Sequence, residues 1–264
     1  MCGRYVITSP ERALREAFDL DGVITGISPR YNVAPGQTVP IVVSMVGPED
    51  PQDGGAGGRS LREAQWGFAP RWAKPESKMP RPINARGESV ADKPMFRDAF
   101  RRSRCLVPMD GFYEWSRLSG PKRPYLIGRA DGRMMAVGGL VGERAEPDAE
   151  SGPESRPVSA GGSRLSLAIV TTQAVGDVAS LHDRMPLILE PDDFEAWLHG
   201  PVELAADLIR PSSIALSIRP VSLRVNAVRN DDPSILIPET HVAETPVAEV
   251  QGPEPKKPCQ GELF

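Results

Sequence analysis

The sequence predicts an α+β fold in which antiparallel β-sheet forms a single domain and a few helices flank it. Short apolar or alternating runs, which are typical of strands, are separated by short turns, and few helical patterns lie between them. This order disfavours the alternating βαβ units of a parallel sheet. With 264 residues, 40% hydrophobic and 25% charged, the chain has the composition of a globular protein, and no linker divides its central part.

The predicted strands are the segments with apolar or period-two patterning, bounded by turn residues. They are residues 39–46, 63–68, 104–109, 111–115, 124–129, 133–140, 165–172 and 214–225.

The predicted helices are segments with helical spacing of apolar residues and a proline close to the start. In the first of them Ser9 is the expected N-cap, Pro10 lies in the first turn, and Leu14, Ala17 and Phe18 form an apolar stripe. The three segments are residues 9–20, 93–104 and 190–198.

Three segments are predicted to lie outside the packed core. Residues 47–60 and 143–164 are rich in Gly, Pro, Ser and charge and poor in large apolar side chains, so we expect mobile insertions. The tail from about residue 238 to 264 has the same character, and we expect it to be disordered. The folded domain is therefore expected over residues 1–237.

Composition also bounds the compartment and the type of site. No apolar run approaches the roughly 18 residues of a membrane span, and the start lacks the pattern of a secretory signal, so we expect a cytoplasmic protein. Cys2, Cys105 and Cys259 show no CxxC or Cys/His spacing, which argues against a disulfide framework and a zinc site. Cys105 lies in an apolar run and is expected to be a buried structural thiol.

The charge is distributed unevenly along the chain. The net charge is −4, yet residues 59–133 contain 17 Lys and Arg against 8 Asp and Glu, a surplus of nine positive charges. The remainder holds 14 against 27, a deficit of thirteen. A basic central segment fits a polyanionic partner, although clustered charges are also common on solvated faces.

The start of the chain, MCGRY, contains residues that can be chemically reactive. If the initiator methionine is removed, Cys2 carries a free amine beside a free thiol, and at neutral pH a useful fraction of each group is nucleophilic. The alternative is a chance Met-Cys start that frays without function.

Three further motifs place polar side chains at the ends of apolar runs. In GFYEW, an inward-facing Glu114 would be desolvated and suited to general acid/base work, whereas an outward-facing one would be an ordinary surface residue. In SLHDRMPL, His182 is placed where an imidazole could carry protons or simply serve the structure. In RPINARGE, Asn84 and Arg86 lie on the same face of an extended segment, with a solvated surface turn as the alternative.

Taken together, the motifs resemble the SRAP family, the SOS-response-associated peptidase-like proteins that shield abasic sites in single-stranded DNA. The resemblance spans about residues 1 to 235. It rests on MCGRY, RYNVAPGQ (30–37), WGFAPRW (66–72), INARGE (83–88), RCLVPMDGFYEW (104–115) and LHDRMPLIL (181–189).

The resemblance implies a fold and a chemistry. The domain would be an antiparallel, partly barrel-like β-sheet with flanking helices. The Cys2 amine would condense with the aldehyde of an abasic deoxyribose, and the Cys2 thiol would close a thiazolidine ring. No metal or cofactor is implied. The expected partner is single-stranded DNA containing abasic sites, bound by a monomer that associates with the nucleoid and not with a membrane.

The resemblance also implies roles by position. Cys2, Asn84, Glu114 and His182 form the expected catalytic set. Glu114 would manage protons at the amine, His182 would protonate the sugar oxygen, and Asn84 would hold the sugar or the N-terminus. The expected DNA contacts are Arg4, Arg86, Asn32, Pro35 and Trp72.

Other functions compatible with the sequence are an N-terminal nucleophile hydrolase, acting on peptides or glutamine, and a single-strand binding module in which Cys2 is incidental. The hydrolase would also mature to an N-terminal Cys-Gly and use the free amine as a base. An apolar residue is expected after that glycine in an amidotransferase, whereas this chain has Arg4.

Overall fold

The computed structural model describes residues 2–21, 26–45, 58–74, 77–116, 122–145 and 163–238. The helices are α1 (Glu11–Phe18), α2 (Arg97–Arg102), α3 (Val178–Leu181), α4 (Phe194–Leu198) and α5 (Val202–Asp207). Short 3-10 helices cover Gly87–Ser89, Pro191–Asp193, Leu223–Asn226 and Pro233–Leu236. The strands are β1 (Tyr5–Ile7), β2 (Arg30–Val33), β3 (Thr38–Ser44), β4 (Arg59–Trp66), β5 (Asn84–Arg86), β6 (Arg104–Met109), β7 (Gly111–Trp115), β8 (Pro124–Arg129), β9 (Met135–Ala145), β10 (Ser163–Gln173), β11 (Arg184–Pro186), β12 (Ile188–Leu189) and β13 (Leu216–Pro220).

The strands form two sheets. The first has the order β13-β8-β7-β1-β2 and is antiparallel throughout. In the second, β10-β4-β3-β6-β9 run side by side, and a further pairing of β9 with β10 closes them into a barrel. Strands β5 and β11 pair with the carboxyl-terminal end of β10, and β12 pairs with β9. The α+β class and the predominance of antiparallel pairing are confirmed.

The barrel core explains why the central apolar runs are strands. All six residues of β6 are buried between β3 and β9, including the Arg104 side chain. Its guanidinium donates to the carbonyls of Phe100, Trp197 and Gly200, which satisfies the ends of α2 and α4 and holds both helices against the barrel. The thiol of Cys105 is fully buried, as predicted, and burial raises its pKa.

The first helix differs from its prediction at the start. It begins at Glu11 after Pro10, and Ser9 makes no cap: its hydroxyl donates to Asp110 Oδ1 at 2.5 Å, and its backbone N–H donates to Oδ2 at 2.9 Å. The Asp110 carboxylate competes for Ser9 because it also binds the backbone and hydroxyl of Thr8, so it anchors the end of β1 to the start of β7. On the helix, Leu14 and Phe18 are buried as predicted, whereas Ala17 is exposed.

Other boundaries differ for local reasons. The strand predicted over 214–225 ends at Pro220, which lacks a backbone N–H for further pairing, and a 3-10 helix capped by Ser222 follows. Strand pairing extends into both predicted insertions, to Arg59 and to Ala145; their central parts and the predicted tail lie outside the described residues. In the described part of the chain no helix is long and apolar enough to cross a membrane.

Candidate active site

The first sheet brings Cys2 and Glu114 together. The backbone N–H of Tyr113 donates to the carbonyl of Arg4 at 2.9 Å, which continues the antiparallel register of β1 and β7. That register places Glu114 opposite Gly3 and next to Cys2. The Cys2 side chain is fully buried, and Glu114 is only 4% exposed. Of the two placements that the sequence left open for Glu114, the structure shows the inward one.

The environment keeps the Cys2 thiol protonated. Burial, and then the nearby Glu114 charge, raise the pKa of this thiol far above its ordinary value. The thiolate is therefore scarce at neutral pH, and a neighbouring group must take the proton when the sulfur reacts.

Asn84 connects the second sheet to Cys2. It begins β5, where it pairs with Ile169 of β10, and its Nδ2 donates to the backbone carbonyl of Cys2 at 2.9 Å. Its Oδ1 is buried and has no hydrogen-bond partner among the described residues. A buried acceptor without a donor costs about 1–3 kcal/mol, so Oδ1 is suited to receive a donor from a ligand or from the N-terminal amine.

His182 reaches the same end of β10 from the other side. It follows α3 and precedes β11, and β10 places Thr171 opposite both Arg86 of β5 and Pro186 of β11. The His182 Nδ1 accepts the backbone N–H of Arg184 at 2.9 Å and lies 2.8 Å from Asp183 Oδ1. A neutral ring suits the first contact and a protonated ring suits the second.

A groove of about 570 Å³ opens beside Asn84. As the two-residue spacing predicted, Asn84 and Arg86 face the same space. The indole of Trp72 is 55% exposed at this groove. The groove therefore combines apolar surface with two cationic side chains. It is lined by Trp72, Pro82, Asn84, Arg86, Lys93, Pro94, Met95 and Phe96.

Arg4 is half-buried and is held by the carboxyl-terminal part of the domain. Its Nη1 donates to Asn32 Oδ1 and to the carbonyl of Val225, both at 2.7 Å, and its Nη2 donates to the carbonyl of Asn226 at 3.4 Å. Burial lowers the pKa of Arg4, but an arginine remains charged at neutral pH. These contacts use three of its five N–H donors.

Asn32 is fully buried beneath Arg4. Its Nδ2 donates to the carbonyls of Asn230 at 2.7 Å and Ala227 at 3.1 Å, and Asp231 binds the backbone N–H of Asn32 at 2.9 Å. In this conformation the amide orients Arg4, and a direct contact between Asn32 and DNA stays a prediction.

Pro35 is exposed on the turn between β2 and β3. The turn is fixed by Gln37, whose Oε1 accepts the Ala34 N–H at 3.0 Å and Arg30 Nη2 at 2.6 Å. Gly36 has φ of 85°, a value that glycine adopts without strain. The motif RYNVAPGQ thus presents Pro35 on a rigid turn.

Sequence reasoning missed the side chains that hold this arrangement together. Glu88, Arg184 and Asp110 lie inside the quoted motifs, and Asp231 lies outside them. Each has a partner far along the chain, so spacing within a motif gives no signal for it. Among the described residues, no group of three or more His, Cys, Asp or Glu side chains is placed to hold a metal ion.

Comparison with known proteins decides the family. Residues 1–228 match the family described as SOS response associated peptidase, SRAP. The chain belongs to the SRAP family. The resemblance in the sequence motifs is thereby confirmed, and the match covers each motif that carried it.

Curated relatives of the chain align with it over much of their length. Abasic site processing protein YoaM of Bacillus subtilis is 31% identical over 249 residues, 92% of this chain and 100% of YoaM. Abasic site processing protein HMCES of Gallus gallus is 32% identical, over 80% of this chain and 66% of that protein. Abasic site processing protein YedK of Escherichia coli is 30% identical, over 79% and 84%.

Solved structures share the fold described above. A crystal structure of a Bacteroides thetaiotaomicron protein has a TM-score of 0.71 at 21% identity and covers 90% of this chain and 100% of that one. A phage-related protein from Bordetella bronchiseptica has a TM-score of 0.59 at 27% identity, over 83% and 94%. At such identities the likeness is one of fold.

Proposed function

We propose that this SRAP protein processes abasic sites by forming a covalent thiazolidine crosslink between Cys2 and the lesion in single-stranded DNA, which shields the lesion during the response to DNA damage. The observation that carries the proposal is the placement of Cys2 next to Glu114, with its carbonyl bound by Asn84, a residue that itself lines a groove with aromatic and cationic side chains. The names of the curated relatives, all abasic site processing proteins, point to the same substrate.

The chemistry requires Cys2 to be the first residue of the mature chain. Removal of Met1 exposes the amine, which adds to the open-chain aldehyde of the abasic sugar. Loss of one water gives an imine. The Cys2 sulfur then adds to the imine carbon and its proton passes to the nitrogen, so that the aldehyde and the aminothiol yield one thiazolidine and one water. An internal cysteine lacks the amine and cannot close this ring.

Each of the remaining catalytic side chains either transfers a proton or fixes an atom by a hydrogen bond. Glu114 takes a proton from the amine and returns one to the departing water, and it can take the proton of the neutral Cys2 thiol. His182 donates to the ring oxygen of the sugar as the hemiacetal opens. Asn84 fixes the carbonyl of Cys2, and its buried Oδ1 accepts from the new amine or from a sugar hydroxyl.

The proposed DNA contacts combine Arg86 and Trp72, which line the groove, with Arg4 and Pro35, which lie outside its lining. Arg86 reaches a phosphate beside the lesion, and Arg4 does so with the donors that its protein contacts leave over. The exposed indole of Trp72 stacks on a base, and Pro35 packs against the strand from its rigid turn. Asn32 acts through Arg4, whose guanidinium it orients.

The competing proposal is an N-terminal nucleophile hydrolase, which the family description, a peptidase, favours. Intact-mass spectrometry distinguishes the two. Purified protein lacking Met1 is incubated with a single-stranded oligonucleotide carrying one abasic site. The matched control carries a tetrahydrofuran analogue, which has no aldehyde. If the crosslink forms, the abasic oligonucleotide gives a species with the mass of protein plus oligonucleotide minus one water. The tetrahydrofuran control gives no such species. Release of fragments from a peptide library or ammonia from glutamine, without that adduct, would favour the hydrolase.

A further inference from the structure

An ion pair joins the two sequence motifs that contain Asn84 and His182. Arg184 of LHDRMPL donates from Nη1 to Glu88 Oε1 at 2.5 Å and from Nη2 to Oε2 at 2.8 Å. The same Nη2 donates to the carbonyl of Thr171 at 2.5 Å and to its hydroxyl at 3.2 Å. The Arg184 side chain is only 13% exposed, and a two-pronged guanidinium–carboxylate pair of this kind fixes orientation as well as distance.

The position of Arg184 connects this pair to His182. The backbone N–H of Arg184 is the donor that His182 Nδ1 accepts, at 2.9 Å. When a neutral imidazole accepts at Nδ1, its proton is on Nε2, so this contact selects one tautomer and one ring orientation. The nearby Asp183 Oδ1, 2.8 Å from the same nitrogen, competes for the ring once it is protonated. The position of the Arg184 backbone therefore determines whether its N–H or Asp183 Oδ1 is better placed to bind His182 Nδ1.

The other end of the pair connects to the groove. Glu88 lies in the 3-10 helix that directly follows β5, two residues after Arg86 and four after Asn84. Glu88 and Arg184 therefore span β10 and tie the segment that carries Asn84 to the segment that carries His182.

We propose that Glu88 and Arg184 are a positioning pair for His182 in the crosslinking reaction. The pair sets the orientation and the tautomer of the imidazole through the Arg184 backbone. This inference rests on the proposed function, because it assigns the pair to that reaction.

The first experiment uses Glu88→Gln, which keeps the shape of the side chain and removes the charge. The crosslinking rate constant is measured at saturating abasic oligonucleotide, and the dissociation constant is measured separately. We expect the rate constant to fall about 10-fold, with binding changed less than about 2-fold, because a misplaced group loses catalysis before it loses affinity. Glu16→Gln is the matched control, since it breaks the exposed Arg12–Glu16 pair on α1 and should change neither quantity.

Epistasis tests whether the pair acts through the imidazole. In a His182→Ala background, Glu88→Gln should cause no further slowing. If it slows that background by the same factor as the wild type, or if it weakens binding as much as it slows the reaction, the positioning role is overturned.

Nuclear magnetic resonance supplies a readout that does not need the reaction. The chain has only three histidines, so the ring nitrogens of His182 can be assigned with a His182→Ala reference. Wild type should show the neutral ring protonated at Nε2, and Glu88→Gln should show a mixture of tautomers. Identical ring spectra in both proteins would refute the claim that Glu88 and Arg184 position the imidazole. Wild-type protein that forms no crosslink would instead overturn the proposed function, and the spectra would still test the pair.

Discussion

Replacing Glu114 by Gln sets two electrostatic effects against each other, so its outcome identifies what this residue does. The charge of Glu114 raises the pKa of the Cys2 thiol, and removing it must lower that pKa and favour the thiolate. The same change removes the group that carries protons at the amine and the thiol. The first effect speeds crosslinking and the second slows it.

The structure indicates which effect wins. Burial, not Glu114, is the largest cause of the raised thiol pKa, and Glu114→Gln leaves the burial of Cys2 in place. The thiol therefore stays protonated at neutral pH, and the gain in thiolate is small. Loss of a positioned general acid or base costs about 10²- to 10⁴-fold in rate, or about 2.7–5.5 kcal/mol in the activation barrier. We expect Glu114→Gln to crosslink about 10²- to 10⁴-fold more slowly than wild type.

The assay is a single-turnover time course at saturating abasic oligonucleotide, with the adduct resolved on denaturing gels. Binding is measured in parallel with an oligonucleotide that carries the tetrahydrofuran analogue. Glu114→Gln should bind it as tightly as wild type does, because the phosphate contacts lie elsewhere. Glu114→Asp, which keeps a carboxylate, should recover part of the rate. A Glu114→Gln protein that crosslinks as fast as wild type, or faster, would show that the carboxylate acts only on the thiol pKa and that another group carries the proton.

Four further outcomes follow from the site. Cys2→Ser keeps the amine but has a poorer ring-closing atom, so borohydride should trap its imine while no heat-stable adduct accumulates; a stable adduct equal to that of wild type would refute ring closure by sulfur. His182→Ala should slow both formation and reversal of the crosslink, because one proton on the sugar oxygen serves both directions; slowing of formation alone, in time courses of each direction, would contradict this. Arg86→Gln should reduce the slope of log affinity against log salt by about 0.7 if Arg86 contacts one phosphate of a single strand, whereas Arg12→Gln, outside the groove, should not change it. The ion pair with Arg184 holds the pKa of Glu88 below its ordinary value of about 4.3, so its stabilising effect is present above that pH and is lost as the pH falls through the folded-state value. The difference in Tm between wild type and Glu88→Gln should therefore shrink from about pH 6 to about pH 3; a difference that grows on acidification would contradict the pairing.

The fold class could be predicted because the barrel strands are long enough for their patterning to be visible. The runs that became β3, β6 and β10 each contain several apolar residues in the expected order. Strands β5 and β11 have three residues each, too few for a period-two pattern, and they are strands only because β10 offers them free edges.

The site could be predicted only in part, for a related reason. The predictions for Cys2, Asn84, Glu114 and His182 rest on the wording of short motifs, which is local information. The side chains that orient the site act over long sequence separations: 96 residues for the pair of Arg184 with Glu88, and 101 residues for Ser9 with Asp110. Ser9 shows the consequence, since a rule that reads only the next few residues assigns it to α1, while a distant carboxylate takes it instead.

The amino-terminal end of this chain, where the proposed reaction takes place, is held by more contacts than chain ends usually make. Terminal residues ordinarily fray unless something ties them down. Here the Cys2 carbonyl is tied to Asn84 of the second sheet, and Arg4 is tied to carbonyls more than 220 residues further along the chain. These contacts fix the position of an amine and a thiol at residue 2 relative to Glu114. Less conformational entropy is then lost when the groups reach the geometry of the reaction. Because the carbonyls that hold Arg4 belong to the carboxyl-terminal part of the domain, the site is complete only when both ends of the fold have come together.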